Sequence, residues 1–266
     1  MPQNPYPMLE KVCRVYTPKE MIGVDLDDPE VWDHPDVTDY RFMPVHWGGG
    51  SNSAGWPIEE PTMTMLQKLA VQLGRIKSVL KGWLAYHLTK FSTIAYSSWV
   101  DSLFGRIGRL RGHRWNAGQW GSINQITHAV VLVMGFGQVA SMRAWQAIGL
   151  LWFCSGAPQV VGHRFFNSWS QTQTKTFCPG DENDKAISEE RYITALGVLR
   201  YRKGNSSHGR CVRACSEKLR QIGYLDQMYS RYNPKVRRAV VAFQVEHGLT
   251  PDGLCGKATW KKLAAA

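Results

Sequence analysis

The chain has 266 residues, 44% of them hydrophobic and 20% charged, with a formal net charge of +11. That length and apolar content exclude a disordered chain and leave room for two packed domains. The positive charge favours a polyanionic partner (nucleic acid, anionic lipid, or a wall carrying phosphate and carboxylate) without choosing among them.

Residues 1–40 are rich in Pro and Asp and show no sustained period, which predicts an extended lead-in packed on a first domain. The opening MPQNPYPMLEKVC lacks a basic run followed by an apolar segment, so no signal peptide is expected. RFMPVHW (41–47) predicts a strand ending in a histidine, and GGGSNSAG (48–55) a loop. From Thr62 to Leu88 the helical spacing puts Leu66, Leu69, Leu73, Ile76 and Leu80 on one side, with Thr62 or Thr64 as the cap. IAYSSWV (94–100) and FGRIGRL (104–110) read as strands, and AVVLVMG (129–135) as a central strand covered on both faces. A helix follows from Gln138 to Phe153, then a short strand QVVGH (159–163) that also ends in a histidine. The apolar stretch from Ala129 to Cys154 is interrupted by Gln138, Arg143 and Gln146, so no membrane insertion is expected.

DENDKAISEE (181–190) reads as a solvated boundary. Beyond it, Val212–Ile222, Pro234–Glu246 and a last short helix after Asp252-Gly253 make a small bundle. The expected fold class is α/β: a central mixed β-sheet flanked by helices, with a second small all-α three-helix domain. The expected domains are 1–190 and 197–264.

Three residues carry the chemistry. His46 and His163 close predicted strands, and Cys178 follows in KTFCPGD (175–181). Side chains at strand ends and in adjoining loops can converge, and a His2Cys set leaves zinc one position for water. On the residues alone, packing and metal ligation both remain open for each histidine. His87, His113 and His128 are read as packed or loop residues, and Cys211 and Cys215, four apart on one helix face, as core. No recognition-helix arrangement, Cys2His2 finger or RNP-type aromatic string is present, so no nucleic-acid partner is expected.

The segments VHWGGGSN, IAYSSWVDSLFGRIGRLRG, NAGQWGSINQITHAVVLVMG, VVGHR and KTFCPGD occur in that order. Together, over residues 40–185, they resemble the type-2 N-acetylmuramoyl-L-alanine amidase family, which includes phage endolysins and peptidoglycan recognition proteins. The resemblance implies a zinc cofactor held by His46, His163 and Cys178. It implies a catalytic tyrosine at Tyr96 and, at Lys175, a lysine that stabilises the oxyanion. Asn116 stands where many members have a histidine and is the implied substrate contact. Val131 replaces a glutamate used by some bacterial members, and an insertion around FNSWSQTQ lengthens the ligand loop.

VRACSEKLRQIGYL (212–225), AVVAFQVEHGLTPDG (239–253) and GKATWKKL (256–263) resemble the peptidoglycan-binding domain 1 family. The expected activity is hydrolysis of the amide between N-acetylmuramic acid and L-alanine, with bacterial peptidoglycan as partner. The expected setting is a phage endolysin, made in the host cytoplasm and reaching the wall through a holin pore. The rival is a peptidoglycan-recognition protein that binds without cleaving.

Overall fold

The computed structural model describes residues 4–26, 41–48, 62–89, 94–111, 126–134, 138–168 and 176–266. The N-terminal segment corrects the expectation of an extended lead-in: it holds helix α1 (Tyr6–Val12), strand β1 (Val15–Tyr16) and helix α2 (Pro18–Ile22). Each is shorter than the window over which periodicity becomes visible. Helix α2 opens on a capping box in which the Thr17 hydroxyl accepts the Glu20 amide and the Glu20 carboxylate accepts the Thr17 amide.

Five further strands complete one sheet: β2 (Phe42–Trp47), β3 (Ser98–Asp101), β4 (Ile107–Arg109), β5 (Val130–Val133) and β6 (Gln159–Gly162). The order is β1-β4-β3-β5-β2-β6, parallel throughout except for the antiparallel β3–β4 pair. Strand β5 has a parallel partner on each side and all four residues buried, as its unbroken apolar run predicts.

Alternation along the strands divides two cores. Met43, Val45, Val100, Val130 and Leu132 join the larger core, beneath α1 and helix α4 (Met142–Cys154). Trp99, Val131 and Val133 join the smaller one, beneath α2 and helix α3 (Met65–Leu88). Thr64 caps α3 through a capping box with Gln67. Its buried face is Gln72, Ile76, Leu80, Leu84 and His87, while Leu66, expected on that face, is 78% exposed because the first turn meets no core.

Helix α4 starts one turn later than expected, where the Ser141 hydroxyl accepts the Ala144 amide. Ten of its 13 residues are buried, because it is covered by the sheet on one side and by later helices on the other. The charged run 181–190, expected to be a solvated boundary, keeps most of its charged side chains exposed but is folded. It forms helix α5 (Asp181–Ser188), which buries Asn183, Ala186 and Ile187, and short helix α6 (Arg191–Thr194). Three buried positions at helical spacing suffice to dock an otherwise charged helix.

The C-terminal helical region comprises α7 (Arg210–Gln221), α8 (Pro234–Glu246) and α9 (Lys257–Ala265). Val212, Leu219, Phe243 and Trp260 belong to the same core cluster as Trp145 and Phe153 of α4. Phe153 and Trp260 meet edge to face at 5.0 Å. Polar ties reinforce the joint: Lys11 pairs with Glu217 at 3.1 Å, and Arg213 Nε donates to the Val12 carbonyl at 2.6 Å. All six cysteines are free thiols; Cys211, Cys215 and Cys255 are buried in this core. Among the described residues, no helix is long and apolar enough to cross a membrane.

Candidate metal centre

His46 lies near the carboxyl end of β2, between Val45 and Trp47, and its register partner is Val131 of β5. It therefore faces the α3 side of the sheet, with Val131 and Trp99. On the other flank, Val45 pairs with Gly162 of β6, so His46 and His163 are each the next residue along adjacent parallel strands. Their rings come together at 4.3 Å between centroids. His163 is not the last strand residue; it begins a 3-10 turn, His163–Ser168, that leads away from the sheet edge.

Cys178 is brought to this pair by a set of local bonds. The Arg164 amide donates to the Cys178 carbonyl at 2.9 Å, and the Arg164 guanidinium bridges Asp181 at 2.6 Å and Asp184 at 2.9 Å. Both aspartates sit in the first turn of α5, where a carboxylate is favoured. Asn167 brackets Thr176 through its amide and carbonyl, and the Thr176 hydroxyl accepts the Cys178 amide at 3.1 Å. Gly162 allows α5 this close: a Cβ there would lie 2.2 Å from Asp184 Oδ1 and 2.8 Å from Pro179 Cδ.

One ring nitrogen from each histidine and Cys178 Sγ lie within 4.8 Å of one another, the one such grouping found among the described residues. Burial, and then the neighbouring His163 and His87, holds His46 well below the ordinary histidine pKa. Burial lowers His163 to about 4. Both imidazoles are therefore neutral at pH 7, each with a lone pair to give. Burial pushes the Cys178 thiol up to about 12, opposed by the Trp47 amide, which donates to Sγ at 3.2 Å, and by Arg164. A thiolate here needs a cation beside it. Two neutral imidazoles and a sulfur wanting a positive neighbour fit a borderline divalent ion such as zinc.

Tyr96 reaches the same pocket from the loop before β3, with its ring 5.1 Å from that of His46. Burial foremost, with Cys178 and Tyr86, raises its pKa, so the hydroxyl keeps its proton. His87, read from sequence as ordinary packing, supports this loop. Its Nδ1 accepts the Ala95 amide at 3.2 Å, and its ring lies 5.5 Å from Tyr96. Sequence reasoning also passed over Trp47 and Asp184, whose contributions run through a backbone amide and an ion pair. His128 is buried and bonds Ser98 Oγ at 2.7 Å. Asn116, Lys175 and His113 lie outside the described residues.

Residues 209–263 match the family model of a peptidoglycan binding domain. The chain is also similar to solved structures that cover its N-terminal two thirds or so. Bumblebee PGRP-SA aligns over 66% of this chain and 93% of its own, at 16% identity and a TM-score of 0.47. The N-acetylmuramoyl-L-alanine amidase endolysin LysCS from Clostridium intestinale aligns over 67% and 95%, at 13% identity and a TM-score of 0.41. The Ph2119 endolysin from a Thermus scotoductus bacteriophage aligns over 67% and 99%, at 15% identity and a TM-score of 0.42. No curated protein sequence matches the chain.

Within residues 209–263, the string AFQ…DG has a physical basis. The buried Gln244 carboxamide donates to Asp252 Oδ1, the Leu254 carbonyl and Thr259 Oγ1, and its oxygen accepts the Gly253 amide at 2.9 Å. One side chain thus fixes the turn between α8 and α9. Beside it Leu249, Thr250, Asp252 and Lys257 line a groove of about 470 Å³.

Proposed function

We propose that the chain is a zinc-dependent N-acetylmuramoyl-L-alanine amidase of the phage-endolysin kind, cleaving the amide between N-acetylmuramic acid and L-alanine. The observation that carries this reading is the convergence of His46, His163 and Cys178 at one sheet edge, in a chain whose C-terminal region matches a peptidoglycan-binding family. These three would hold the metal. Zinc bound there supplies a Lewis acid for the amide carbonyl and lowers the pKa of its water toward about 7.

The protein's own groups do the rest. The Trp47 amide donates to Cys178 Sγ and steadies the thiolate. Tyr96 keeps its hydroxyl proton and offers it to the oxygen on which charge develops. Lys175 adds a second donor to that oxygen, and Asn116 contacts the substrate. The peptidoglycan-binding region raises the local substrate concentration without entering the chemistry. The endolysin setting places synthesis in the host cytoplasm and release to the wall through a holin pore.

The test is mass spectrometry of digested peptidoglycan. Free stem peptides beginning at L-alanine, beside intact glycan strands, are expected. New reducing ends would show a glycosidase instead. Binding without any soluble product would favour the recognition-protein alternative.

A further inference from the structure

A cleft of about 580 Å³ opens where the connection from α6 to α7 crosses α4. Gln146, Arg200, Asn205, Ser207, His208 and Arg210 line it, with no carboxylate among its lining residues. Arg210 is half-buried, yet its guanidinium bonds only neutral acceptors: Gln146 Oε1 at 2.9 Å, the Gly105 carbonyl at 2.8 Å and the Arg143 carbonyl at 3.3 Å. Its charged neighbours are Arg143 and Arg213, of its own sign. Two nearby thiols give no counter-charge, since burial raises Cys13 and lifts Cys211 to about 11. Among the described residues, Glu217 pairs with Lys11 and Arg220, Glu190 with Lys257 and Lys261, and Glu10 with Arg109.

A partly buried cation without a counter-ion is costly, and the cost is recovered when an anion arrives. Arginine forks suit carboxylates in particular. Arg210 also ties the cleft to the turn after β3, at the carboxyl edge of the sheet. That is the end of the sheet at which His46 and His163 meet; His46 faces the α3 side and the cleft lies on the α4 side, so a ligand engaging both passes over that rim.

We propose that this cleft is an anion subsite that takes a carboxylate of the peptide stem of peptidoglycan, with Arg200 and Arg210 as its cations; the ligand class rests on the amidase reading above. Neutral lining groups, Gln146, Asn205 and Ser207, supply donors and acceptors for the stem's amides.

The test titrates the full chain with a synthetic stem tetrapeptide beginning at L-alanine, a product of the proposed reaction, so that no turnover intervenes. Two forms are compared: free carboxylates, and the same peptide fully amidated. The wild type is expected to bind the free form about tenfold more tightly. Arg200→Glu, at an exposed lining position, should abolish that preference. Lys235→Glu makes the same charge change on an exposed face of α8 and should keep it. Equal affinity for the two forms in the wild type would overturn the proposal. So would loss of preference in Lys235→Glu, which would assign the effect to the general positive field. A cleft that binds inorganic phosphate yet does not distinguish the two peptides would overturn the carboxylate assignment. If the preference holds but digested walls release no stem peptide, the amidase reading falls and the subsite stands.

Discussion

Cys178 is a buried thiol with its pKa raised to about 12, and in the proposed centre it would ligate only by releasing that proton to solvent as the cation binds. The expected stoichiometry is one zinc per chain. Cys178→Ala leaves two protein ligands, so metal content by elemental analysis and amidase rate should fall together. Cys178→Ser should do nearly as badly, since a neutral hydroxyl replaces a thiolate poorly. A Cys178→Ala protein that keeps one zinc and still cleaves would remove the central claim. Lys175→Ala should instead keep its zinc and lose about 10²–10³ in turnover, the typical cost of one oxyanion donor. Full turnover with full zinc would make Lys175 an ordinary loop lysine. The triad was legible in the sequence through the order of the segments that carry it, VHWGGGSN, VVGHR and KTFCPGD; two histidines 117 residues apart and a cysteine left packing and ligation equally open on their own. Arg164, Trp47 and His87 were not legible as site residues. Trp47 acts through its backbone amide, Arg164 through its amide and its ion pairs with Asp181 and Asp184, and His87 through an acceptor nitrogen that a helical pattern does not advertise.

At the scale of elements, the long apolar runs behind β5, α3 and α4 announced themselves, since burial on both sides or along one stripe leaves a period of its own. Helices α1, α2 and α5 did not. The first two are brief, and α5 hides three buried residues in a charged run. Close packing between elements was also invisible from sequence. At Gly149 in α4, a Cβ would meet the Tyr192 carbonyl of α6 at 2.1 Å. Backbone cannot swing aside as a flexible side chain can, so Gly149→Ala must push α6 away from α4. Overpacking of this kind costs about 1–3 kcal/mol. In a chain of this size that corresponds to a fall in Tm of roughly 3–10 °C. Thermal unfolding followed by circular dichroism measures it. An unchanged or raised Tm would mean that α6 is not held against α4 as described.

At the scale of the whole molecule, one apolar cluster runs from α1 through α4 into α7, α8 and α9. Unfolding the C-terminal helices would bare Trp145, Phe153 and their neighbours, so heat should produce one cooperative transition in place of two. The polar tie across this joint gives that expectation a pH signature. Glu217, buried at the α1–α7 contact, bonds Arg220 at 2.8 Å and Lys11 at 3.1 Å. Arg220 first, then Lys11, hold its carboxyl at about 2 against the ordinary 4.5. A carboxyl held down in the folded chain adds stability that is fully present above pH 4.5 and is lost as the pH falls through about 2. The shift alone sets a ceiling of about 3 kcal/mol. Both cations are partly exposed and screened, which reduces the expected value to about 1–2 kcal/mol. Glu217→Gln should therefore be less stable than wild type by that amount at pH 7, and the gap should close between pH 4.5 and about 2. Denaturant unfolding of both proteins at a series of pH values reads it directly. A gap that stays constant from pH 7 into acid would show that Glu217 acts through packing and not through its charge pairs with Arg220 of α7 and Lys11 of α1.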